Sequence, residues 1–355
     1  MVPDPTPDTM CHKMPEDDKS YHQTGLNVHH DGERYHVPAH NVVNCTSDFW
    51  KWQTSGERQK WPKWIDNDVH PAPPQRVNGK DLSATWIGHA TVLVQTGGLN
   101  ILTDPFFSKR ASPFQFAGPK RVRNPGVALK DLPPIDLILL SHNHYDHMDL
   151  PALRKLVRHH DAPILTPHGN ARIVKRWIRQ ANVIEHGWHE PFEHSSDLVI
   201  TPTPALHWSK RTFKDRNKAL WSAFMIEAGR HKVYFGADTG FGTGEHFTQT
   251  RDRYGAPDLA LLPIGAYEPR WFMKAQHINP DEAARAHNLL GATASLAIHH
   301  ATIQLTDEAI DAPVEALQAA KLKHGIADHA FRATSVGETW TVSPTGQSHD
   351  SHSPD

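Results

Sequence analysis

A dense group of metal-ligand side chains directly follows the apolar run "IDLILL", and this feature constrains the fold most. His142, His144, Asp146 and His147 lie within six positions of the segment "SHNHYDHMDL". Alternate residues of an extended chain point the same way, so His142 and His144 are expected to aim at one point. Neutral imidazole and carboxylate are ligands of Zn²⁺ and its first-row neighbours. The H-x-H-x-D-H spacing therefore predicts one ion on the alternate histidines and a second on the Asp-His pair; a solvated polar loop is the alternative.

Further candidate ligands stand where other predicted strands end. His207 lies in "TPTPALHW", Asp238 in "YFGADTGF", and His299 and His300 end "SLAIHH". Functional residues are often carried by the loops at one edge of a sheet, so His207 and Asp238 are expected to join the metal site. The spacing does not choose between His299 and His300. Asp104, in "NILTDPFF", is either a turn carboxylate or an acceptor that orients a ligand histidine.

The pattern of apolar runs divides the 355 residues into three parts. Residues 1–80 are rich in Pro, His, Asp and Trp and lack periodicity, which indicates an irregular N-terminal extension packed on the main domain. In residues 81–345, strand meanders are followed by strands alternating with helices, twice over. This pattern predicts an α/β (α+β) domain with two mixed sheets packed face to face and helices outside. Residues 346–355 are polar and are predicted to be a disordered tail.

Charge and cysteine content limit the partners and the compartment. The formal net charge is -2 and the pI is about 7.0. These values argue against a nucleic-acid partner, because phosphate neutralisation needs a concentrated excess of Lys and Arg. Cys11 and Cys45 cannot form a disulfide framework, so a reducing compartment is expected. No secretory signal and no run near the ~18 apolar residues of a membrane span is visible, which predicts a cytoplasmic protein, at most peripheral to a membrane.

Several segments resemble a known superfamily. "SHNHYDHMD", "HW", "GADTG" and "AIH" together resemble the metallo-β-lactamase superfamily, whose hallmark is the H-x-H-x-D-H motif. Four longer segments between about Thr85 and Pro313 are similar to the N-acyl-phosphatidylethanolamine-hydrolysing phospholipase D family. They are "ILTDPFFSKRASPFQFAGPKR", "LPPIDLILLSHNHYDHMD", "HWSKRTFKDRNKALW" and "DLALLPIGAYEPRWFMKAQHINPDEAARAH". The resemblance implies an αββα sandwich with a dinuclear metal site at one edge of the sheets.

The resemblance also implies the ligands of a pair of zinc ions. Three histidines hold one ion, an aspartate and two histidines hold the other, and a further aspartate bridges both. In that order the residues are His142, His144 and His207, then Asp146, His147 and His299, and finally Asp238. His300 occupies a position where the family has a large aromatic residue, and it is assigned to the wall of the substrate pocket.

The implied function is that of a phosphodiesterase of the phospholipase D type. N-acyl-phosphatidylethanolamine would be hydrolysed to N-acylethanolamine and phosphatidic acid by a hydroxide that bridges the metals and attacks phosphorus in line. Asp146 is assigned to the catalytic residues through its role as a metal ligand. His277 is the candidate general acid or phosphate contact, unless it only caps the following helix. Tyr145 is expected to hydrogen-bond a phosphoryl oxygen, and Tyr267 and Trp271 are expected to shape the pocket.

A phospholipid substrate also requires an apolar approach to the site. Phe114 and Phe116 stand beside Lys120, Arg121 and Arg123. Aromatic residues beside basic ones suit peripheral contact with an anionic membrane; an ordinary loop folded onto the protein is the alternative. A homodimer is a further hypothesis.

Other functions stay open at this point. The same fold could hydrolyse another phosphodiester or a lactone, such as a sugar-phosphate lactone, because a fold does not fix the substrate. A non-catalytic metal-binding or lipid-binding protein would predict gaps in the ligand set, and the sequence has none. An RNA-processing nuclease is disfavoured by the neutral pI. Zinc is not distinguished from manganese or iron, because no cysteine belongs to the set.

Overall fold

The computed structural model describes residues 26–37, 46–78 and 80–342. The predicted tail at 346–355 and both cysteines lie outside these ranges. An N-terminal segment carries strands β1 (His29–His30) and β2 (Tyr35–His36) and helix α1 (Thr46–Gln53). The first of two seven-stranded sheets contains β3 (Leu82–Gly88), β4 (Thr91–Thr96), β5 (Leu99–Thr103), β6 (Leu137–Leu139), β7 (Ile164–Pro167), β8 (Val183–His186) and β16 (Thr339–Val342). The second contains β9 (Phe192–Ser195), β10 (Leu198–Thr203), β11 (Ala223–Ala228), β12 (His231–Phe235), β13 (Leu259–Pro263), β14 (Ala294–Ile298) and β15 (Phe331–Arg332).

The remaining helices follow or connect these strands. They are α2 (Leu150–His160), α3 (Ala171–Trp177), α4 (Glu245–Tyr254), α5 (Arg270–Met273), α6 (Pro280–Leu290) and α7 (Ala312–His324), with a 3₁₀ turn at Leu129–Asp131. Within the described part of the chain, no helix is both long enough and apolar enough to cross a membrane.

The two sheets repeat one topology. The strand orders are β16-β3-β4-β5-β6-β7-β8 and β9-β10-β11-β12-β13-β14-β15. In each sheet the first three strand pairs are antiparallel and the last three are parallel, so the middle strand, β5 or β12, has one neighbour of each kind. Hairpins join β3 to β4, β4 to β5, β9 to β10 and β11 to β12, whereas parallel neighbours require longer crossovers, most of which contain a helix here. The parallel strands of each sheet therefore end at one common edge.

Apolar side chains fill three layers. Trp86, Phe224 and Phe235 lie fully buried between the two sheets. Leu153 of α2 packs in the layer outside the first sheet, and Leu290 of α6 packs outside the second. Because both faces of each sheet are covered, the central strands are almost continuously apolar. The predicted αββα sandwich is confirmed.

Two helix starts lie next to the loops that form the site. Asp149 ends the loop after β6 and caps α2, since its carboxylate accepts a hydrogen bond from the backbone N–H of Ala152. Asn279 and Glu282 form a capping box at the start of α6, with Pro280 in the first turn. These caps fix where each preceding loop ends.

Apolar runs such as "TVLVQ", "IDLILL" and "DLALLP" predict the ten central strands, β3 to β7 and β10 to β14, and all ten are present. The strands that this pattern misses are the sheet edges, β8, β9, β15 and β16. Each is two to four residues long and has one pairing partner. Short, half-exposed edge strands carry no continuous apolar run, so the pattern that reveals a central strand is missing.

The segment before the first sheet contacts the loop after β14. The indole N–H of Trp52 donates to a carboxylate oxygen of Asp307 at 2.7 Å, and that of Trp61 donates to the backbone carbonyl of Glu308 at 2.8 Å. Trp52 also stacks on Phe272, with ring centroids 5.1 Å apart. The proposed domain boundary near residue 80 stays a prediction.

Candidate metal centre

Six strands end at one edge of the sandwich, and each is followed by a candidate ligand or a residue that contacts one. The strands are β3, β5 and β6 of the first sheet and β10, β12 and β14 of the second. In that order the residues are His89, Asp104, the loop 142–147, His207, Asp238 and His299. His89, Asp104 and His299 have positive φ values of 56°, 30° and 62°. Such backbone conformations are uncommon outside glycine and cluster at functional sites.

The first ligand cluster contains His142, His144, His207 and Asp238. Nδ1 of His144 lies 2.8 Å from Nε2 of His142 and 3.2 Å from Nε2 of His207. Oδ2 of Asp238 lies 3.9 Å from Nε2 of His142 and 3.6 Å from Nε2 of His207. These atoms all lie within 4.8 Å of one another. The structure thus brings together the residues that the resemblance assigns to one ion.

The second cluster joins Asp146, His147 and His299. Oδ2 of Asp146 lies 3.3 Å from Nε2 of His147 and 3.5 Å from Nε2 of His299, and these two nitrogens lie 3.3 Å apart. The carboxylate of Asp238 reaches this cluster as well. Its Oδ2 lies 3.1 Å from Nε2 of His147 and its Oδ1 lies 3.1 Å from Nε2 of His299. Asp238 therefore lies between both clusters, as expected of a bridging carboxylate.

His89 belongs to the second cluster and was missed by the sequence analysis. Its Nε2 lies 2.8 Å from Oδ2 of Asp146, and its ring centroid lies 3.9 Å from that of His299. The side chain is buried, with a relative exposure of 1%. The signal was available, because His89 directly follows the strand "ATWIG" just as the other candidates follow theirs.

Two glycines let neighbouring loops approach the clusters. A Cβ at Gly265 would lie 2.3 Å from the carbonyl oxygen of His299, and a Cβ at Gly240 would lie 2.0 Å from that of Ala275. No larger residue fits at either position without moving backbone. The loops after β13 and β12 are therefore held against the segments that carry His299 and His277.

Burial and charge set the protonation of the ligands. Burial lowers the pKa of His142 and of His207 well below the usual value, and lowers that of His144 to about 4. Burial also opposes charge on His147, but the attraction of nearby carboxylates, Asp238 first, outweighs it and raises the pKa of His147. Burial likewise opposes charge on Asp238, and the attraction of His147 outweighs it and lowers the pKa of Asp238.

This donor set fits a divalent cation. Nδ1 of His207 lies 2.9 Å from the backbone carbonyl of Gln276 and carries the proton of that ring, so the lone pair of Nε2 points into the first cluster. Imidazole with carboxylate is the donor combination that zinc and neighbouring metals prefer. The site residues therefore fit a divalent metal in each cluster.

Asp104 contacts a ligand histidine. Its Oδ2 accepts a hydrogen bond from Nδ1–H of His147 at 2.6 Å and from the hydroxyl of Ser141 at 2.5 Å. Its Oδ1 accepts from the backbone N–H of Ser141 at 2.7 Å. A carboxylate at Nδ1 keeps the proton on that atom, so Nε2 of His147, which faces the second cluster, is the nitrogen that would give up its proton to a metal ion.

His277 lies at the rim of the clusters. Its Nδ1 lies 4.0 Å from Oδ2 of Asp238, and its ring centroid lies 5.2 Å from that of His207 and 5.7 Å from that of His299. Burial lowers its pKa to about 4. The cap of the following helix is the side chain of Asn279, so His277 does not serve as that cap.

Residues 99–300 match the sequence family described as "Beta-lactamase superfamily domain". The chain belongs to the beta-lactamase superfamily. Over 276 residues it is 38% identical to "N-acyl-phosphatidylethanolamine-hydrolyzing phospholipase D 1" of Caenorhabditis elegans, covering 74% of this chain and 76% of that protein. Over 256 residues it is 34% identical to "N-acyl-phosphatidylethanolamine-hydrolyzing phospholipase D, mitochondrial" of Saccharomyces cerevisiae, covering 70% of this chain and 53% of that protein. The resemblance inferred from the sequence is confirmed.

A solved structure shares the fold of this superfamily member. The isothiocyanate hydrolase from Delia radicum gut bacteria superposes with a TM-score of 0.57 at 19% identity, covering 74% of this chain and 99% of that one. Family membership and the two ligand clusters together make the protein a metal-dependent hydrolase that uses a divalent metal.

We call residues 142–148, which follow β6, the metal loop. Beside it lies a cavity of about 1080 Å³. Tyr145 lines it, and the Tyr145 hydroxyl donates to the backbone carbonyl of Arg211 at 3.1 Å. The Arg211 guanidinium lies 4.0 Å from the Tyr145 ring centroid and donates to the carbonyls of Asn143 and Met148, each at 2.9 Å. Arg211 therefore holds both ends of the metal loop.

The three remaining pocket candidates do not line this cavity. His300 is buried and stacks on Trp86, with ring centroids 4.4 Å apart. Tyr267 is buried, whereas Trp271 is half exposed, with the ammonium group of Lys51 4.9 Å from its ring. Their assignment to the substrate pocket stays a prediction.

Proposed function

We propose that the protein is a dinuclear zinc phosphodiesterase of the phospholipase D type that hydrolyses N-acyl-phosphatidylethanolamine to N-acylethanolamine and phosphatidic acid. The observation that carries this proposal is the position of Asp238 between two ligand clusters, with carboxylate oxygens 3.1 Å from ligand nitrogens. Two relatives whose names state this activity support the choice of substrate.

Seven residues would hold the metal pair. They are His142, His144 and His207 in the first cluster, Asp146, His147 and His299 in the second, and Asp238 in both. When bound, a pair of divalent ions lowers the pKa of water toward ~7 and stabilises negative charge on a reacting phosphate. Metal analysis of the purified protein distinguishes zinc from manganese and iron.

The surrounding residues orient the ligands and the substrate. Asp104 holds the tautomer of His147, and Arg211 holds the metal loop. Because its pKa is lowered to about 4, His277 is neutral near pH 7. A neutral imidazole donates one N–H, so His277 acts as a hydrogen-bond donor to a phosphoryl oxygen rather than as a charged general acid.

The cavity beside Tyr145 supports a lipid substrate, since its volume suits large apolar groups. The segment proposed to contact a membrane presents Phe114 and Phe116 to solvent, but only part of its basic cluster is available. Lys120 is exposed, whereas Arg121 is buried and donates to the carbonyl oxygen of Phe106 at 2.9 Å. Homodimer formation and a cytoplasmic location stay predictions from the sequence.

Hydrolysis by metal-analysed protein tests the proposal. N-acyl-phosphatidylethanolamine in neutral detergent micelles is compared with a soluble chromogenic phosphodiester and with a lactone. Products are identified by mass spectrometry in ¹⁸O-labelled water. We expect phosphatidic acid that carries the label, because the attacked atom is phosphorus. Turnover of the lactone alone would overturn the phosphodiesterase assignment.

A matched pair of variants links the activity to the clusters. Asp238→Ala removes the shared carboxylate, and we expect it to abolish both metal binding and hydrolysis. Asp252→Ala removes an exposed carboxylate on α4 and leaves both unchanged. If Asp238→Ala kept full activity, the two clusters would not be the catalytic site, and a non-catalytic metal-binding role for them would be favoured.

A further inference from the structure

A wall of basic side chains borders the cavity beside the metal loop. Arg154, Lys155 and Arg158 extend from α2, and Arg172 and Arg176 extend from α3. All five are exposed. We call them the basic wall. The two helices contribute their outer faces, so the wall faces solvent rather than the sheet.

The basic wall has no carboxylate partners. Within the described residues, none of its five members has a carboxylate oxygen within 4.0 Å. Two acids line the same cavity, but both are engaged by backbone. Asp149 accepts from the N–H groups of Phe107 and Ser108 at 2.9 and 2.7 Å, and Asp215 accepts from those of Arg211 and Thr212 at 2.9 and 2.7 Å.

This concentration of charge is unusual for the molecule. The whole chain carries a formal net charge of -2. Five cations on two neighbouring helices, none of them paired with a described carboxylate, leave a local positive potential in a nearly neutral protein. Such a potential attracts anions.

Exposed aromatic side chains surround the same cavity. Phe114 and Trp177 line it, and Phe116 and Phe213 stand next to lining residues. Their relative exposures are Phe114 56%, Phe116 82%, Trp177 59% and Phe213 99%. Large aromatic groups left in water beside basic groups match the interface of a bilayer, where rings lie at the level of the headgroups.

We infer that this face docks on a bilayer that contains anionic phospholipids, with lipid phosphates bound by the basic wall and the aromatic side chains inserted among the headgroups. The inference rests on the proposed lipid substrate and deepens it. The substrate brings one phosphodiester, which must lie at the metal clusters to react. The basic wall therefore recognises neighbouring anionic lipids, and docking places the cavity mouth against the membrane that supplies the substrate.

Vesicle binding by the metal-loaded full chain tests this inference without any turnover. Cosedimentation is measured with phosphatidylcholine vesicles, with and without phosphatidylglycerol. Each basic residue near an anionic surface contributes about fivefold to the partition coefficient. Replacing two of them, as Arg172→Gln with Arg176→Gln, is expected to weaken binding to phosphatidylglycerol vesicles by about 25-fold.

A control pair changes the same charge at the other end of the sheets. Lys80 precedes β3 and Arg230 precedes β12, both are exposed, and neither forms an ion pair with a described residue. Lys80→Gln with Arg230→Gln is expected to bind like the wild type. Melting temperature and metal content verify that both pairs fold. Hydrogen exchange of the wild type gives a second readout, with protection expected in α2 and α3 when anionic vesicles are present.

The outcomes separate docking from catalysis. Equal binding of the wild type to both kinds of vesicle, equal losses in the two variant pairs, or absence of protection in α2 and α3 would each overturn the docking surface. The proposed reaction is tested in neutral micelles and fails separately. Charge-dependent docking without hydrolysis of N-acyl-phosphatidylethanolamine would retain this surface and reject that reaction.

Discussion

Replacing Asp104 with asparagine should weaken metal binding through a change of tautomer. One carboxylate oxygen accepts from the backbone N–H of Ser141, which cannot turn away, so the amide oxygen of the introduced side chain must stay there. The amide NH₂ then faces Nδ1 of His147, which in the wild type donates to Asp104 at 2.6 Å. Two donors cannot share this contact. The proton of His147 must move to Nε2, the atom that faces Asp146 and Asp238.

The size of the effect follows from the contact that is lost. A hydrogen bond to a charged group contributes about 1.5–3 kcal/mol, and each 1.4 kcal/mol is about tenfold in an equilibrium constant. Loss of the partner that orients a ligand histidine typically weakens metal binding by about 10- to 100-fold. The two arguments agree. We therefore expect the ion of the second cluster to bind about 10- to 100-fold more weakly in Asp104→Asn.

Chelator competition with metal analysis measures this change directly. The control is Asp136→Asn, at the residue before β6. Asp136 also accepts a backbone N–H, that of Asn100 at 2.7 Å, and pairs with Arg76, but it contacts no candidate ligand. The control should keep the wild-type affinity for both ions. If Asp104→Asn retains that affinity, or if Asp136→Asn loses as much, the tautomer argument is wrong.

Three further predictions concern histidines. His89→Ala removes the hydrogen bond to Asp146 and should lower the metal affinity of the second cluster about 10- to 100-fold. After dialysis we expect about one ion per chain in the variant and two in the wild type, and equal metal content would contradict this prediction. His277→Ala should lower kcat by about 10²–10³ with unchanged metal content, because a donor to developing phosphate charge is lost, and a wild-type kcat would refute the role. Burial lowers the pKa of His287 to about 4, so the folded protein binds fewer protons there than the unfolded chain and loses stability as the pH falls from about 6.5 to about 4. Urea unfolding measures the free energy of unfolding at pH 7 and at pH 5. The decrease between these two pH values should be smaller in His287→Asn than in the wild type by about 2 kcal/mol, and equal decreases in both proteins would show that His287 does not cause the pH dependence.

The sequence predicts the centre of this fold because buried strands leave a direct mark. Strands such as β6 and β14 are continuous apolar runs followed at once by polar ligands, so both the strand and the position of His142 or His299 can be inferred. The edge strands give no such pattern, because half of each one faces solvent. Their absence from the prediction did not affect the site, since every candidate ligand follows a central strand.

Other features depend on contacts that only the folded chain creates. The position of His89 directly after β3 can be inferred from the sequence, but its hydrogen bond to Asp146 joins two loops that are 57 residues apart. Arg121 looks like a surface residue in a basic segment, yet the fold buries it beneath Phe106. The basic wall exists because α2 and α3 lie side by side, which no local pattern in either helix reveals.

The pairing of β16 with β3 has a consequence for how the protein is made. Thr339 and Thr85 hydrogen-bond across this pair although 254 residues separate them. During synthesis the ribosome must therefore release nearly the whole domain before β3 gains its outer neighbour, and until then its backbone groups stay open to pairing with other nascent chains. Contacts of such long sequence separation also slow folding. We expect the yield of native enzyme to depend on how well the unpaired edge of β3 is protected from other chains until β16 has been synthesised.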